Sequence, residues 1–346
     1  MAASTKISGT GRVDTHHHFF PTSVLELASE FTGQQGDQKF QFPSSVAEHI
    51  TFMDEYGVQT AVVSPSIQKQ WHTEWSAELY YKLCVNSFKA QQEMIKENPL
   101  RFGGFAMIPL PHIEESLKFV RDTQTEGLKP DGFAVATSHG HKFLGDPSFD
   151  PVWTELDALS AAVFVHPGDT NMPEGLNYPP FVIEFPFDTA RAILSILTSG
   201  ALTKFPNIRF IFSHNGGAFP FLADRCRALD QTIMANNDGR NLHDLLEKSN
   251  MFFDTALSFP VQWALVKGLG MPATRFVHAT DFPYTAGESG AAALGAMSTE
   301  ISGEFTDKEI NEDIAYKNAI TNFFPRLKEE WEKAFGREVF GEKAQL

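Results

Sequence analysis

Four short segments combine imidazoles and carboxylates at spacings suited to metal chemistry. Residues 14–18 read DTHHH, His166 opens HPG, His214 opens HNGG, and Asp281 lies in TDFPY. On a strand, positions i and i+2 point the same way, so His16 and His18 share one face and His17 takes the other. Three imidazoles and a carboxylate (His16, His18, His166 and Asp281) form a donor set that suits zinc or manganese and leaves room for water or substrate. Taken singly, each has a plainer reading. A strand-end histidine is commonly a hydrogen-bonded structural residue, and a His run can be a purification tag. Tags, however, run longer, sit in Gly/Ser linkers and are not followed by structure-like sequence such as FFP. Convergence of all four points to one metal ion per subunit. No lysine lies in GFAVATS (132–138) to bridge a second ion. His49, His72, His112, His139, His141, His243 and His278 lack comparable placement and read as ordinary residues.

To bring these residues together, the elements carrying them must end at one rim. Apolar or β-branched runs at 11–17, 60–66, 102–110, 132–138, 162–167, 208–214, 251–256 and 275–281 read as strands. Helical stretches at 44–56, 73–98, 113–126, 150–160, 188–203, 217–235 and 260–270 separate most of them. Alternation of this kind implies parallel pairing through right-handed crossovers. The expected fold class is α/β, a closed (β/α)8 barrel, whose chemistry sits at the C-terminal ends of its strands. A doubly wound sheet is the main rival, but no G-x-G-x-x-G follows the first strand. Residues 1–346 read as one domain, with 1–10 disordered. Segment 19–43 would form a lid or small insert, 167–187 a long Pro/Gly-rich loop, and 306–346 a helical segment packed outside the barrel.

Composition narrows the function. The chain is 42% hydrophobic and 21% charged, as in a globular enzyme with a full core. A formal charge of -15 with no basic stripe argues against a nucleic-acid partner. Two cysteines, Cys84 and Cys226, are too few for a disulfide framework. No apolar run approaches the roughly 18 residues of a membrane span, so neither nucleic acid nor membrane is an expected partner, and the expected location is cytoplasmic. Phenylalanine is over-used, at 32 residues against 6 tyrosines, which means a bulky core or an aromatic-lined pocket. Phe19, Phe20, Phe212 and Phe282 are candidates for such a wall, with ordinary core as the alternative.

Together, D-x-H-x-H, HPG, SHNGGAFPF and TDFPY make the chain resemble the amidohydrolase superfamily, and within it the aminocarboxymuconate-semialdehyde decarboxylase-like branch. The resemblance runs from Asp14 to about 324, and is greatest toward the fungal 6-methylsalicylate decarboxylases. It implies a (β/α)8 barrel with His16, His18, His166 and Asp281 as metal ligands and His214 as the catalytic histidine, with Asp281 or His214 donating the proton. It implies a homodimer in which Arg225 reaches the neighbouring subunit's site, and a small aromatic carboxylic acid as substrate, around which the candidate wall of Phe20, Phe212 and Phe282 would stand. The family's same-subunit arginine has no match in SPSIQKQWHTEW. The implied reaction is non-oxidative decarboxylation of an ortho-hydroxybenzoate, 6-methylsalicylate to 3-methylphenol and carbon dioxide. A metal-dependent hydrolase or lactonase, a non-catalytic binder of aromatic acids and an inert scaffold with a structural metal are the alternatives.

Overall fold

The computed structural model describes residues 11–284 and 305–340, except 23, 28–42, 44, 68–72, 126, 128, 169–174, 176, 230, 232 and 233. Eight strands follow one another around a barrel: β1 Arg12–His18, β2 Val58–Ser64, β3 Phe102–Met107, β4 Gly132–Ala136, β5 Ala162–His166, β6 Arg209–Phe212, β7 Met251–Asp254 and β8 Phe276–Val277. Every neighbouring pair from β1 to β8 is parallel. The seam between the short β8 and β1 is joined by backbone bonds: Thr15 N–H donates to the His278 carbonyl (2.9 Å), Asp281 N–H to His16 (2.8 Å) and His18 N–H to Phe282 (2.7 Å). The (β/α)8 expectation holds.

Helices α1 Val46–Glu55, α2 Ala77–Glu97, α3 Ile113–Thr125, α4 Asp150–Ala158, α5 Pro180–Ser199, α6 Ala201–Lys204, α7 Phe219–Ala228, α8 Leu242–Lys248 and α9 Pro260–Gly268 lie between the strands. Ser76 caps α2 by accepting from Leu79 N–H (3.3 Å), and Asn241 caps α8 by accepting from Asp244 N–H (2.9 Å). Strand side chains alternate between two cores. Outward residues such as Phe133, Val163, Phe210 and Phe253 pack under the helices. Inward residues, among them Val13, Val62, Phe105, Phe164, Ile211 and Val277, fill the lumen. Phe105 and Phe164 stack there with centroids 5.3 Å apart, so much of the phenylalanine excess is core.

The structure differs from the sequence reading in several places. The C-terminal helices Glu309–Lys317, Asn318–Asn322 and Pro325–Phe335 do not lie outside the barrel ring. Their Ala319, Phe324, Leu327 and Trp331 share one core with the lumen residues. They seal the floor, where Trp331 Nε1–H donates to Thr60 Oγ1 (2.8 Å) and Arg326 bonds Asp131 (2.8 Å). Within 167–187, expected as loop, α5 begins at Pro180. Proline is at home in a helix's first turn, and Pro186 further along forgoes a single intrahelical bond. Its own carbonyl accepts from Ala218 N–H (3.0 Å). Helix α8, only 7 residues long, is too short for its periodicity to stand out. Of the expected lid, 28–42 lie outside the described residues, as do His72 and 1–10.

Candidate metal centre

The ends of β1 and β5 and the turns after β6 and β8 meet over the lumen. One donor atom from each of His16, His18, His166 and Asp281 lies within 4.8 Å of the others, and all four residues are buried. His16 Nε2 is 3.1 Å from His18 Nε2, and each of these nitrogens is 3.1 Å from Asp281 Oδ1. The rings of His16, His18 and His166 stand edge-on to one another, with centroids 4.8–4.9 Å apart. Phe164 underlies His16 at 4.9 Å. The other oxygen of Asp281 faces His214 Nε2 at 3.4 Å. One carboxylate thus joins the cluster on one side and a further histidine on the other.

Two of these residues sit beyond the strands expected to carry them. β6 stops at Phe212 and β8 at Val277, and the turns that follow place His214 (φ 56°) and Asp281 (φ 61°) in left-handed backbone. For a residue other than glycine that conformation costs about 1–3 kcal/mol and persists only where neighbours enforce it. The Asp281 N–H is tied to His16 across the seam (2.8 Å), and the His214 N–H to Asp254 Oδ1 (2.8 Å). The NGG that follows His214 is needed for close approach: a Cβ on Gly217 would stand 2.3 Å from the Pro186 carbonyl of α5. After His166, a Cβ on Gly168 would come within 2.6 Å of the Ile67 carbonyl.

The electrostatics favour a cation at the cluster. Burial opposes charge on His16, but Asp281 and Asp254 outweigh it and push the ring up to about 10. Burial holds His18 below the usual histidine range and His166 well below it, so both present neutral rings. Burial would raise Asp281, yet the charge of His16 and hydrogen bonds from His16, His18 and His214 hold its carboxyl well below the usual range. His16 Nε2, His18 Nε2 and the buried Asp281 carboxylate converge on one point, where a proton on His16 takes the place of a cation. A divalent ion there would satisfy every donor, and two neutral imidazoles are already in the form that ligates. The donor set therefore fits zinc or manganese.

Not every sequence candidate is at this site. Phe212 faces the helix layer, packed with Phe210 and Phe253. Phe282 also turns away, stacked on His17 (4.7 Å) and against Phe52 of α1 (4.1 Å). Both are corrections to the aromatic wall, and both follow from side-chain direction: the residues alternate away from the inward-facing ones. Phe20 is near, 6.3 Å from the His18 ring. Arg225 is exposed on α7. Residues that the sequence reading passed over stand close instead. Asp254 Oδ2 accepts from His16 Nδ1 (2.8 Å), the Tyr284 ring is 5.3 Å from His18, and Phe185 of α5 is 6.2 Å from His166. Asp254 had a legible signal, a carboxylate closing the apolar run MFFD, and Tyr284 ends the TDFPY segment itself.

The family model for Amidohydrolase matches residues 13–324. The chain is 32% identical to "Decarboxylase macB" of Penicillium terrestre, over 92% of this chain and 96% of that protein. It is 27% identical to "6-methylsalicylic acid decarboxylase" of Penicillium expansum, over 93% and 99%. Its fold is similar to that of 5-carboxyvanillate decarboxylase from Novosphingobium aromaticivorans, solved with manganese and 4-hydroxy-3-methoxy-5-nitrobenzoic acid, with TM-score 0.75, 17% identity and coverage of 93% and 99%. The chain therefore belongs to the amidohydrolase family, within the branch whose members are carboxy-lyases.

Proposed function

We propose that this protein is a metal-dependent, non-oxidative decarboxylase of ortho-hydroxybenzoates, converting 6-methylsalicylate to 3-methylphenol and carbon dioxide. The observation that carries the reading is the divided carboxylate: Asp281 Oδ1 stands 3.1 Å from His16 and His18, and Oδ2 stands 3.4 Å from His214. His16, His18, His166 and Asp281 would hold one ion, zinc or manganese. When bound, a divalent ion supplies a template and Lewis acid for a carboxylate and its ortho hydroxyl. Asp281 and His214 share a proton across their contact and deliver it to the ring carbon bearing the carboxylate. The bond from that carbon to the carboxylate then breaks, its electron pair restores the aromatic ring, and carbon dioxide leaves. Phe20 and Tyr284 stand beside His18 with their rings edge-to-face, 6.3 Å apart, and aromatic neighbours of this kind suit an aromatic acid. The relatives lend no support to the hydrolase alternative.

The homodimer belongs to the same proposal. Neighbouring helices α5, α7 and α9 leave Phe181, Phe221 and Val261 54%, 75% and 72% exposed. Apolar exposure on that scale suits an interface, and Arg225 lies on the same helix as Phe221. Carbon dioxide release from 6-methylsalicylate, with metal content and light-scattering mass on the same sample, tests the whole reading. Metal-loaded protein that releases none from any ortho-hydroxybenzoate would sink the substrate class, and a monomer would sink the dimer.

A further inference from the structure

We infer that Asp254 is a positioning residue that couples the metal ligand His16 to His214. This rests on the metal reading above and concerns a residue that the reaction itself does not use. Asp254 ends β7 and is fully buried. Its Oδ2 accepts from His16 Nδ1 at 2.8 Å, and its Oδ1 accepts from the backbone N–H groups of His214 (2.8 Å) and Ala256 (3.0 Å). The first bond keeps a proton on His16 Nδ1, so that Nε2, toward Asp281 and His18, is the nitrogen left to ligate a metal ion. The second holds the left-handed turn that aims the His214 ring at Asp281. Among the cluster's histidines, the Nδ1 atoms of His18 and His166 have no partner among the described residues. His16 alone is oriented by a carboxylate there.

A carboxylate suits both jobs because each of its oxygens accepts here, Oδ2 from His16 and Oδ1 from His214 and Ala256. In Asp254→Asn, an amide oxygen turned toward His214 and Ala256 sets an N–H against His16 Nδ1. His16 must then move its proton to Nε2, the atom that faces the metal position. Turned the other way, the amide N–H opposes two backbone N–H groups and the His214 turn loosens. One link is lost in either orientation.

The test is zinc affinity by chelator competition, with kcat at saturating zinc, for the wild-type chain and Asp254→Asn. The expected result is either affinity lowered about 10–100-fold or kcat lowered at unchanged affinity, with the melting temperature of the metal-free protein retained. Equal affinity and equal kcat would overturn the inference. Nitrogen NMR of the wild-type His16 ring decides independently of whether the variant folds. A zinc-loaded protein whose His16 Nδ1 proton is downfield-shifted and slow to exchange, as a bond to Asp254 requires, supports the inference, and one whose Nδ1 proton exchanges freely overturns it. Wild-type protein that binds no zinc would fail the metal reading itself, a distinct result from a variant that binds as well as wild type.

Discussion

His16 and His17 are neighbours on one strand, both fully buried, both bonded through Nδ1 to an aspartate, at 2.8 and 2.9 Å. They nevertheless have different roles. The far nitrogen of His16 faces a carboxylate and the Nε2 of the neutral His18 ring. The far nitrogen of His17 is taken by His49 Nδ1 of α1 at 2.9 Å, and the ring is covered by Phe282. Asp14, at the head of this outer chain, also accepts from the backbone N–H groups of His16 (3.1 Å) and Thr280 (2.9 Å). The inner face thus leaves donors pointed at one spot, whereas on the outer face both ring nitrogens of His17 are paired, with Asp14 and with His49. Residue type does not separate a ligand from a strut. What separates them is whether the second ring nitrogen already has a partner.

Substitutions can break this contrast, and the largest effect falls on the inner face. Asp281→Asn should lower kcat by about 10³-fold or more, since the proton route and one donor go together. Rate assays at saturating metal check it, and a variant that keeps a tenth of wild-type activity would remove Asp281 from the chemistry. On the outer face, His17→Ala should cost roughly 3 kcal/mol of stability, because Asp14 is left buried with its charge less satisfied. Its metal content should stay at the wild-type level. Urea denaturation with metal analysis measures both, and loss of metal at unchanged stability would erase the distinction between the faces.

Acid should act on outer-layer histidines in a defined window. Burial depresses His49 and His278 to about 3, from an ordinary value of 6.5. As pH falls through 6.5 the unfolded chain takes up these protons and the folded one does not. Stability is therefore lost from that pH down to about 3, by up to about 1.4 kcal/mol per pH unit for each ring. Denaturation curves of metal-free protein between pH 4 and 8 would show it, and His49→Asn should flatten the slope. The smallest expected effect is that of Thr280→Val, which removes the hydroxyl donated to Asp14 (2.5 Å). It should cost about 1 kcal/mol and leave kcat within a fewfold of wild type. A large kcat loss would mean that the two faces are mechanically coupled through Asp14.

The sequence makes the barrel legible because strands and helices alternate with distinct periods, whereas the C-terminal helices that seal the floor read as lying outside it, because their contacts with the lumen are long-range. The donor cluster is legible for a similar reason: i and i+2 on β1 must share a face, and HPG and TDFPY end apolar runs. What the sequence hides is direction in irregular backbone. Phe212 and Phe282 flank site residues in the chain, but strand alternation and the turn after β8 send their rings into the helix layer. Asp254 is legible as a carboxylate closing a strand, but its role is hidden for another reason. Its role depends on which two backbone segments the barrel brings beside β7, and nothing local to MFFD encodes them.

The seam between β8 and β1 has a consequence in chain entropy. His16 and His18 stand on one side of it and Asp281 on the other, with His18 and Asp281 263 positions apart in the chain. Bringing such distant points together costs about 5 kcal/mol of loop-closure free energy beyond a constant term. The same three backbone bonds that close the ring also bring these side chains together. The donor cluster therefore has no existence in a chain whose ring is open. A ligand that grips both sides of the seam acts as a buckle on the whole barrel, and its affinity reports how firmly the circle is shut.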